Sequence, residues 1–441
     1  MFLRELSVLF SLLHLHRYFE KVFSPGNNIR RSNSGGRLKT RYFYGYNIVV
    51  AGFFIQAVCI GAMFTYGVFF KEFQAAFGWS RALISGASSL AFLVMGAVGI
   101  LAGTLNDRIG PKIIITVSGV SLGLGYMLMS QLEMPWQLYL LYGGFVGIGF
   151  STHDVITLST VARWFTIRRG MMSGLVKVGT GAGQLLVPLI ATGLISAFGW
   201  RSAYLIIGAV SMVALVAVAQ LMKRDPQGIG LVPDGGRHKA RNAALSEIPS
   251  LPLSAAARTI QFWTICVAEF TIFFCLLTTI VHIVPHARDQ GLSPNVAAGV
   301  LSTIGGVSML GRIVMGTAND GIGGKRSLLI CFIILISSLI WLQVAIGAWM
   351  LFVFAIIYGF AHGGLFTVMS PTVAELFGTG SHGQLFGVIL FSGTIGGSVG
   401  PLLTGYIFDL TGSYRAAFIL LTALAVMGLA LILLLRKPKA H

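Results

Sequence analysis

Charged residues are scarce in this chain, and acidic residues are the scarcest of them. Of the 441 residues, 10% are charged, with 14 acidic against 31 basic side chains, while 55% are hydrophobic. Soluble domains carry about 25% charged residues, and disordered chains carry few large apolar side chains. The composition therefore excludes a water-soluble globular protein and a disordered chain. What remains is a protein whose solvent is mostly lipid.

Patterns that bind metals or phosphates, or that carry covalent catalysis, are missing as well. The four cysteines all lie in apolar stretches, so they predict neither a disulfide framework nor a metal site. No histidine–carboxylate cluster has the spacing of metal ligands. The glycine-rich stretches at 179–183 and 393–400 lie within apolar runs and do not follow a strand, so they are not phosphate loops. We therefore predict no metal, no cofactor and no enzymatic activity.

Long apolar runs are what the sequence has instead. Runs of about 20 residues, the length that crosses the hydrocarbon core of a bilayer, recur along the chain. They predict helices near 47–70, 82–105, 113–131, 137–162, 170–196, 200–222, 262–284, 294–317, 328–345, 349–370, 383–407 and 415–435. The predicted fold is an all-α membrane protein with twelve transmembrane helices, and its main partner is the lipid bilayer.

The basic residues lie between these runs, so the net charge of +17 indicates topology and not nucleic-acid binding. Lysine and arginine concentrate in loops that a cytoplasmic N-terminus would place inside the cell. We predict a cytoplasmic extension at 1–44, a six-helix bundle at 45–222, a cytoplasmic linker at 223–261, a second bundle at 262–435 and a cytoplasmic tail at 436–441. The expected location is a bacterial inner membrane. The extension has no small-residue cleavage site, which favours an uncleaved segment over a signal peptide.

An internal repeat, with one constant spacing between its two copies, relates the two predicted bundles. The matching pairs are Ser80/Ser293, Gly103/Gly316, Asp107/Asp320, Gly110/Gly323, Lys112/Lys325, Gly170/Gly383 and Gly174/Gly387. Several anchors in one register indicate two equivalent six-helix halves. Parallel halves with a site at their interface are the architecture of alternating-access carriers.

The loop after the second helix carries the best-defined copy of the repeat. Gly103 permits close helix approach, Asp107 lies where the helix leaves the membrane, and Gly110 makes a tight turn. The basic residues Arg108 and Lys112 hold the loop in the cytoplasm. The second copy contains Gly316, Asp320 and Lys325. A carboxylate here can cap the N-terminus of another helix and so form a latch between the halves; an ordinary turn with topology charges is the alternative.

The loop 103–112 resembles the cytoplasmic signature between helices 2 and 3 of the major facilitator superfamily. The resemblance covers about residues 45–435, and it is strongest to the branch of monocarboxylate porters and oxalate–formate antiporters. The segments that carry it are 66–70, 77–81, 162–165, 169–170, 284–287, 311–312, 375–378, 400–401 and 408–414. The resemblance implies a carrier built from two six-helix bundles.

Four ionisable side chains lie well inside predicted helices: Asp154, Lys177, Glu269 and Arg312. Counted from the helix ends at about 1.5 Å per residue, all four lie roughly 8–12 Å from the cytoplasmic face. Two acids and two bases at one depth sum to zero, as buried charge should. Ionisable groups are costly within a bilayer, so these four are the first functional candidates.

Arg312 is the predicted anchor for a substrate carboxylate. Its planar guanidinium binds a carboxylate through two N–H groups and stays charged. By resemblance, it occupies the position of the helix 8 arginine that the branch uses for this purpose. An arginine that snorkels towards the helix end is the alternative. Ser308 and Phe64 stand where animal monocarboxylate porters carry an aspartate and a lysine, so the proton relay of those porters cannot be carried over.

Other side chains are candidates for the proton and for the rest of the substrate. Asp154 and Lys177 form a proton switch if protonation of the acid frees the lysine, or else a static pair that fixes helix packing. Glu269 is a second proton-binding candidate, with a structural or lipid-edge role as the alternative. The candidates for contacts with the substrate are Tyr66, Phe69, His282 and His362. Each histidine could donate a hydrogen bond to a carboxylate, or could simply be packed.

The predicted function is transport of a small organic monocarboxylate with a proton, by alternating access, in a protein that works as a monomer. An oxalate–formate type of antiporter, an efflux carrier for amphipathic organic anions and a receptor with a carrier fold remain as alternatives. Oxalate carriers have a second cation in helix 11, and the stretch 383–405 contains none. This absence argues against a dicarboxylate as substrate.

Overall fold

The computed structural model describes residues 43–236 and 250–436, and in these ranges eleven helical stretches are long and apolar enough to cross a membrane. One of them, Arg169–Ala219, has 51 residues. As a straight helix it would be about 77 Å long, more than twice the roughly 30 Å of a hydrocarbon core. It breaks at Gly199, with φ 78° and ψ 162°, and therefore makes two crossings. The prediction of an all-α protein with twelve transmembrane helices is confirmed.

The twelve helices follow one another with short connections except at the linker. They are α1 Gly45–Phe77, α2 Arg81–Ile109, α3 Pro111–Met129, α4 Pro135–Trp164, α5 169–198, α6 200–219, α7 Ile260–Asp289, α8 Pro294–Ile322, α9 Gly324–Val344, α10 Ala348–Phe377, α11 His382–Thr411 and α12 Arg415–Leu434. The predicted extension 1–44 and tail 436–441 fall almost entirely outside the described residues, as does the linker segment 237–249. The face at which the linker leaves α6 and enters α7 is called the linker face below.

The repeated Gly-x-Ser element forms the same connection in both halves. Gly78 ends α1 in the left-handed region with φ 64°, and the Ser80 hydroxyl accepts a hydrogen bond from a backbone N–H in the first turn of α2. Gly291, with φ 80°, and Ser293 do the same at the start of α8. Glycine tolerates this conformation and serine is a favoured N-cap, so the repeat specifies where these helices end and begin.

The helix α4 is interrupted, which the sequence analysis did not predict. Its middle, Tyr139–Val146, is a π-helix, and a turn at Ser151 and Thr152 separates the final segment His153–Trp164 from the rest. Asp154 therefore lies in the first turn of a helical segment. A carboxylate in that position is stabilised by the unpaired N–H groups and the dipole of the helix start.

Close helix crossings repeat inside each half. A Cβ on Gly183 of α5 would lie 2.8 Å from the Ala57 carbonyl carbon of α1, and a Cβ on Gly396 of α11 would lie 3.0 Å from the Phe270 carbonyl carbon of α7. These two contacts are equivalent in the register of the repeat. Small residues at such crossings let membrane helices approach backbone to backbone.

The halves meet through contacts that follow the same two-fold relation. Gly103 of α2 packs on the backbone of Gly383 in α11, and its repeat partner Gly316 of α8 packs on the backbone of Gly170 in α5. Each residue of one contact is thus the repeat partner of a residue in the other. The interface between α2 and α11 and that between α5 and α8 enclose the space in which the candidate site lies.

Candidate functional site

A narrow cavity of about 140 Å³ lies between the two halves. Its walls come from both bundles and are mostly apolar, with a smaller set of polar and charged groups. The lining residues are Ile60, Met63, Phe64, Phe92, Met95, His153, Asp154, Lys177, Thr180, Gln184, Phe273, Leu277, Ile280, Leu301, Ile304, Gly305, Ser308, Arg312, His362, Phe366, Leu390 and Thr394. Apolar walls with a few convergent polar groups are typical of small-molecule sites.

Arg312 is a charged group of this cavity whose hydrogen-bond donors are partly unused. Its side chain comes from α8 and is 2% exposed, and its Nε and Nη1 have no hydrogen-bond partner among the described residues. The guanidinium reaches the other half of the protein, since a Cβ on Gly181 of α5 would lie 3.0 Å from Nη1. A buried guanidinium with unused donors is a ready site for an anion.

The first half supplies a closed network beside Arg312. The Lys177 Nζ lies 2.6 Å from Oδ1 of Asp154, and Gln56 Nε2 donates to the same oxygen over 2.8 Å. The His153 Nε2 lies 3.4 Å from the other oxygen of Asp154, and Thr180 donates to Oε1 of Gln56. The structure therefore brings Asp154 and Lys177 together in a buried ion pair in which the carboxylate is fully coordinated.

Glu269 of α7 lies behind the cavity wall and does not line it. It is 2% exposed, and its Oε2 has no hydrogen-bond partner within the described ranges. Its Cγ would be 3.0 Å from a Cβ on Gly393 of α11. Lys177 and Asp154 are the charged groups that interact with it electrostatically. All four predicted membrane charges thus belong to one region of the protein.

The histidines divide into two groups. His362 of α10 lines the cavity, and its Nδ1 has no partner in the described part of the chain. His282 does not line the cavity. Its Nε2 lies 3.0 Å from the Pro401 carbonyl oxygen and its Nδ1 lies 3.3 Å from the Tyr414 hydroxyl. The structure thus places His282 outside this cavity, with its ring held between α7, α11 and the residue that precedes α12.

The two aromatic residues expected to contact the substrate also lie elsewhere. The Tyr66 hydroxyl donates to the Ile84 carbonyl over 2.6 Å, and its ring lies 4.1 Å from that of Tyr142. Phe69 is fully buried and stacks on Tyr204 at 3.8 Å. Both belong to an aromatic core inside the first half. The residues of α1 that reach the cavity are Ile60, Met63 and Phe64.

At the linker face, each half caps a helix of the other. The Gly383 and Gln384 N–H groups, at the start of α11, donate to Asp107 over 3.0 and 2.9 Å. Asp107 also forms a partly buried ion pair with Arg163. In the second copy the Gly170 and Met171 N–H groups, at the start of α5, donate to Asp320 over 2.6 and 2.9 Å. These two caps are called the latch contacts below.

The other residues of the motif support the loops and do not bridge the halves. Gly110 and Gly323, with φ 86° and 83°, form the turns before α3 and α9. Arg108 and Lys112 are exposed at the linker face. Lys325 donates to the carbonyl oxygens of Leu433 and Leu435, both over 2.8 Å, and so caps the end of α12. Within the motif, the contacts between the halves come from the aspartates Asp107 and Asp320 and from the glycines Gly103 and Gly316.

Two residues of the site had not been selected from the sequence. Gln56 connects Asp154 to Thr180, and Arg163 pairs with Asp107. In the register of the repeat Gln56 corresponds to Glu269, so the repeat contained a usable signal for Gln56. Arg163 lies in the segment 162–165 that carries the family resemblance, but no spacing rule distinguishes it from the basic residues near it.

Comparison with known proteins agrees with this architecture. The model of the Major Facilitator Superfamily matches residues 52–317 and 286–441, and the chain belongs to that superfamily. Monocarboxylate transporter 13 of Rattus norvegicus is 30% identical over 390 residues, which cover 87% of each chain. An uncharacterized MFS-type transporter of Escherichia coli, YhjX, is 26% identical over 355 residues, 79% of this chain and 85% of that one.

Solved structures show the same fold at low sequence identity. The fucose:proton symporter FucP of Escherichia coli superposes with a TM-score of 0.68 at 15% identity, covering 90% of this chain and all of that one. The protein is a multi-pass integral membrane transporter of the secondary type and not an enzyme.

Proposed function

We propose that this transporter carries a small organic monocarboxylate together with a proton, by alternating access. The main support is the guanidinium of Arg312, which is buried in the cavity between the halves and has unused hydrogen-bond donors. A single carboxylate would satisfy those donors, and the apolar walls would accept the rest of a small acid. The similarity to monocarboxylate transporter 13 supports the same substrate class.

The charges around the cavity favour one carboxylate over two. Lys177 is neutralised by Asp154 at 2.6 Å, so Arg312 is the cation of the cavity that can still accept an anion. A dicarboxylate would place its second charge against apolar walls, which is costly. His362 and Ser308, which also line the cavity, are proposed to orient the substrate. The proton is proposed to bind at one of the two neighbouring acids, Asp154 or Glu269.

The latch contacts are proposed to hold the linker face closed and to open in each transport cycle. In this state Asp107 and Asp320 satisfy the N–H groups at the starts of α11 and α5, and water would have to replace these bonds when the halves separate. The linker face is proposed to be cytoplasmic, because Arg168, Lys223 and Arg326 lie there with the other basic residues. Both termini would then be cytoplasmic, in a protein that works as a monomer in a bacterial inner membrane.

The test is uptake by the purified protein in liposomes. Labelled lactate, pyruvate, formate and oxalate are offered with and without an inward proton gradient. Arg312→Gln should reduce uptake of the transported monocarboxylate at least 100-fold, since charge-assisted hydrogen bonds contribute about 1.5–3 kcal/mol each. Arg326→Gln, an exposed arginine at the linker face, is the matched control and should transport normally. Unchanged uptake by Arg312→Gln, or transport of oxalate alone, would contradict the proposal.

A further inference from the structure

Glu269 and Gln56 occupy equivalent positions in the two halves. They correspond in the register of the repeat. Each is buried in the first helix of its half, Gln56 in α1 and Glu269 in α7. Gln56 is bonded to Asp154, Thr157 and Thr180. The second half therefore places an acid where the first half has an amide.

The surroundings of the two residues differ in their hydrogen-bonding groups. The repeat partners of Asp154, Thr157 and Thr180 are Thr367, Ser370 and Gly393. Thr367 donates to the carbonyl of Gly363, and Gly393, which packs against Glu269, has no side chain. In the described part of the chain, Glu269 Oε2 is left without a donor, whereas every polar atom of Gln56 is bonded.

Few charges surround Glu269. Glu269 packs against Gly393 of α11. Phe366 of α10 packs on Phe273, which lies one turn after Glu269 on α7. The charged groups that interact with Glu269 electrostatically are Lys177 and Asp154, and the Cys266 thiol lies one turn before it on α7. Arg312 of α8 and His362 of α10 line the adjacent cavity. An ionised carboxylate with a buried oxygen that no donor reaches is unfavourable, and the neutral acid costs less to bury there.

We propose that Glu269, and not Asp154, binds the coupling proton that accompanies the monocarboxylate on Arg312. This inference rests on the proposed function. With Glu269 neutral and Asp154 paired to Lys177, the region carries the single positive charge of Arg312, and one bound monocarboxylate brings it to zero. With Glu269 ionised the empty region is already neutral, and a bound anion would leave one negative charge buried. Proton and substrate therefore favour each other's binding, and the coupling is reciprocal.

Asp154 is less suited to this exchange. Its carboxylate accepts hydrogen bonds from Lys177 and Gln56, and a proton on Asp154 would leave the Lys177 ammonium buried without its counter-ion. Breaking a buried ion pair in this way is strongly unfavourable. The Asp154–Lys177 pair thus stays neutral throughout, while Glu269 binds and releases the proton and Arg312 binds and releases the carboxylate.

The test uses the full chain in liposomes, with labelled lactate, pyruvate, formate and benzoate as probes. Glu269→Gln should lose proton-driven accumulation at least tenfold while exchange of labelled for unlabelled substrate continues and becomes independent of pH. Wild-type accumulation should not respond to an imposed membrane potential. Glu133→Gln, the same change at an exposed loop acid, should behave like the wild type. Proton-driven accumulation by Glu269→Gln at the level of Glu133→Gln would overturn the proposal.

Two further measurements keep the outcome decisive. Infrared difference spectra on substrate addition should show the carbonyl band of a protonated carboxyl, and the band should be absent from Glu269→Gln. If Glu269→Gln does not fold, Glu269→Asp is used, and it should keep coupling with a displaced pH profile. An unchanged profile, or an unchanged infrared band in either variant, would contradict the assignment. Normal uptake by Arg312→Gln would instead refute the proposed function itself, whatever Glu269 does.

Discussion

The two halves of this transporter share one backbone plan and differ in how they use it. Beside the cavity, the first half joins Asp154, Lys177 and Gln56 in a network whose polar atoms are bonded to one another. The second half presents Arg312 and Glu269 with atoms that have no partner among the described residues. Under the proposed function, this difference makes the first half a fixed wall of the cavity and the second half the source of the contacts that exchange substrate and proton.

At the linker face the two halves are alike. Asp107 and Asp320 each cap the start of a helix in the opposite half, and Gly103 and Gly316 each pack on backbone there. Symmetry is thus kept at the linker face, where the proposed transport cycle requires the two halves to separate. It is not kept at the cavity, where the two halves present different polar side chains. The ion pair of Asp107 with Arg163 departs from this symmetry, because Arg163 corresponds to Leu376 in the register of the repeat.

The largest expected effect concerns the bonded network of the first half. Asp154→Asn should lower the free energy of unfolding by about 3–5 kcal/mol, because it leaves Lys177 buried without its counter-ion. The double variant Asp154→Asn with Lys177→Met should recover most of that loss, since both charges are then absent. Thermal unfolding of the purified variants in detergent measures this. A single variant as stable as the wild type would mean that the first half is not a fixed wall.

An intermediate effect is expected at the latch contacts. Asp320→Asn weakens two charged hydrogen bonds, and Asp107→Asn also breaks the pair with Arg163. Hydrogen bonds to charged groups contribute about 1.5–3 kcal/mol, so both variants should populate a state open at the linker face, Asp107→Asn more strongly. Distances between spin labels at Ile109 and Ile322 would report it.

The control for the latch contacts is Asp225→Asn, which removes a linker-face acid that pairs with its neighbour Arg224. It should leave the distance distribution unchanged. If Asp320→Asn opened the linker face as much as Asp107→Asn, the ion pair of Asp107 with Arg163 would contribute nothing to closure. The two latch contacts would then be equal in energy.

The smallest effect is expected in the aromatic core of the first half. Tyr66→Phe removes the hydrogen bond to the Ile84 carbonyl and should cost about 1 kcal/mol of stability. Substrate affinity should stay within about twofold of the wild type, because Tyr66 does not reach the cavity. Phe64→Ala, two residues earlier and on the cavity wall, is the contrasting variant and should weaken affinity. A larger affinity change in Tyr66→Phe would mean that Tyr66 contacts the substrate after all.

The sequence alone determined the class of the protein, the number of its helices and the repeat that relates its halves. These properties follow from local composition, since a segment in lipid must be apolar and must bond its own backbone. It also identified Arg312, Asp154, Lys177 and Glu269, because charge in such a segment is costly and therefore rare.

Only the tertiary structure decided which side chains face one another. Successive residues of a helix point about 100° apart, so Phe64 lines the cavity while Tyr66 enters the aromatic core. The rotation of α1 that separates them is set by its packing on α5, which no local pattern encodes. The same holds for Gln56 in the network and for His282 outside the cavity. Local polarity predicts where a helix lies, whereas helix packing determines what each of its residues touches.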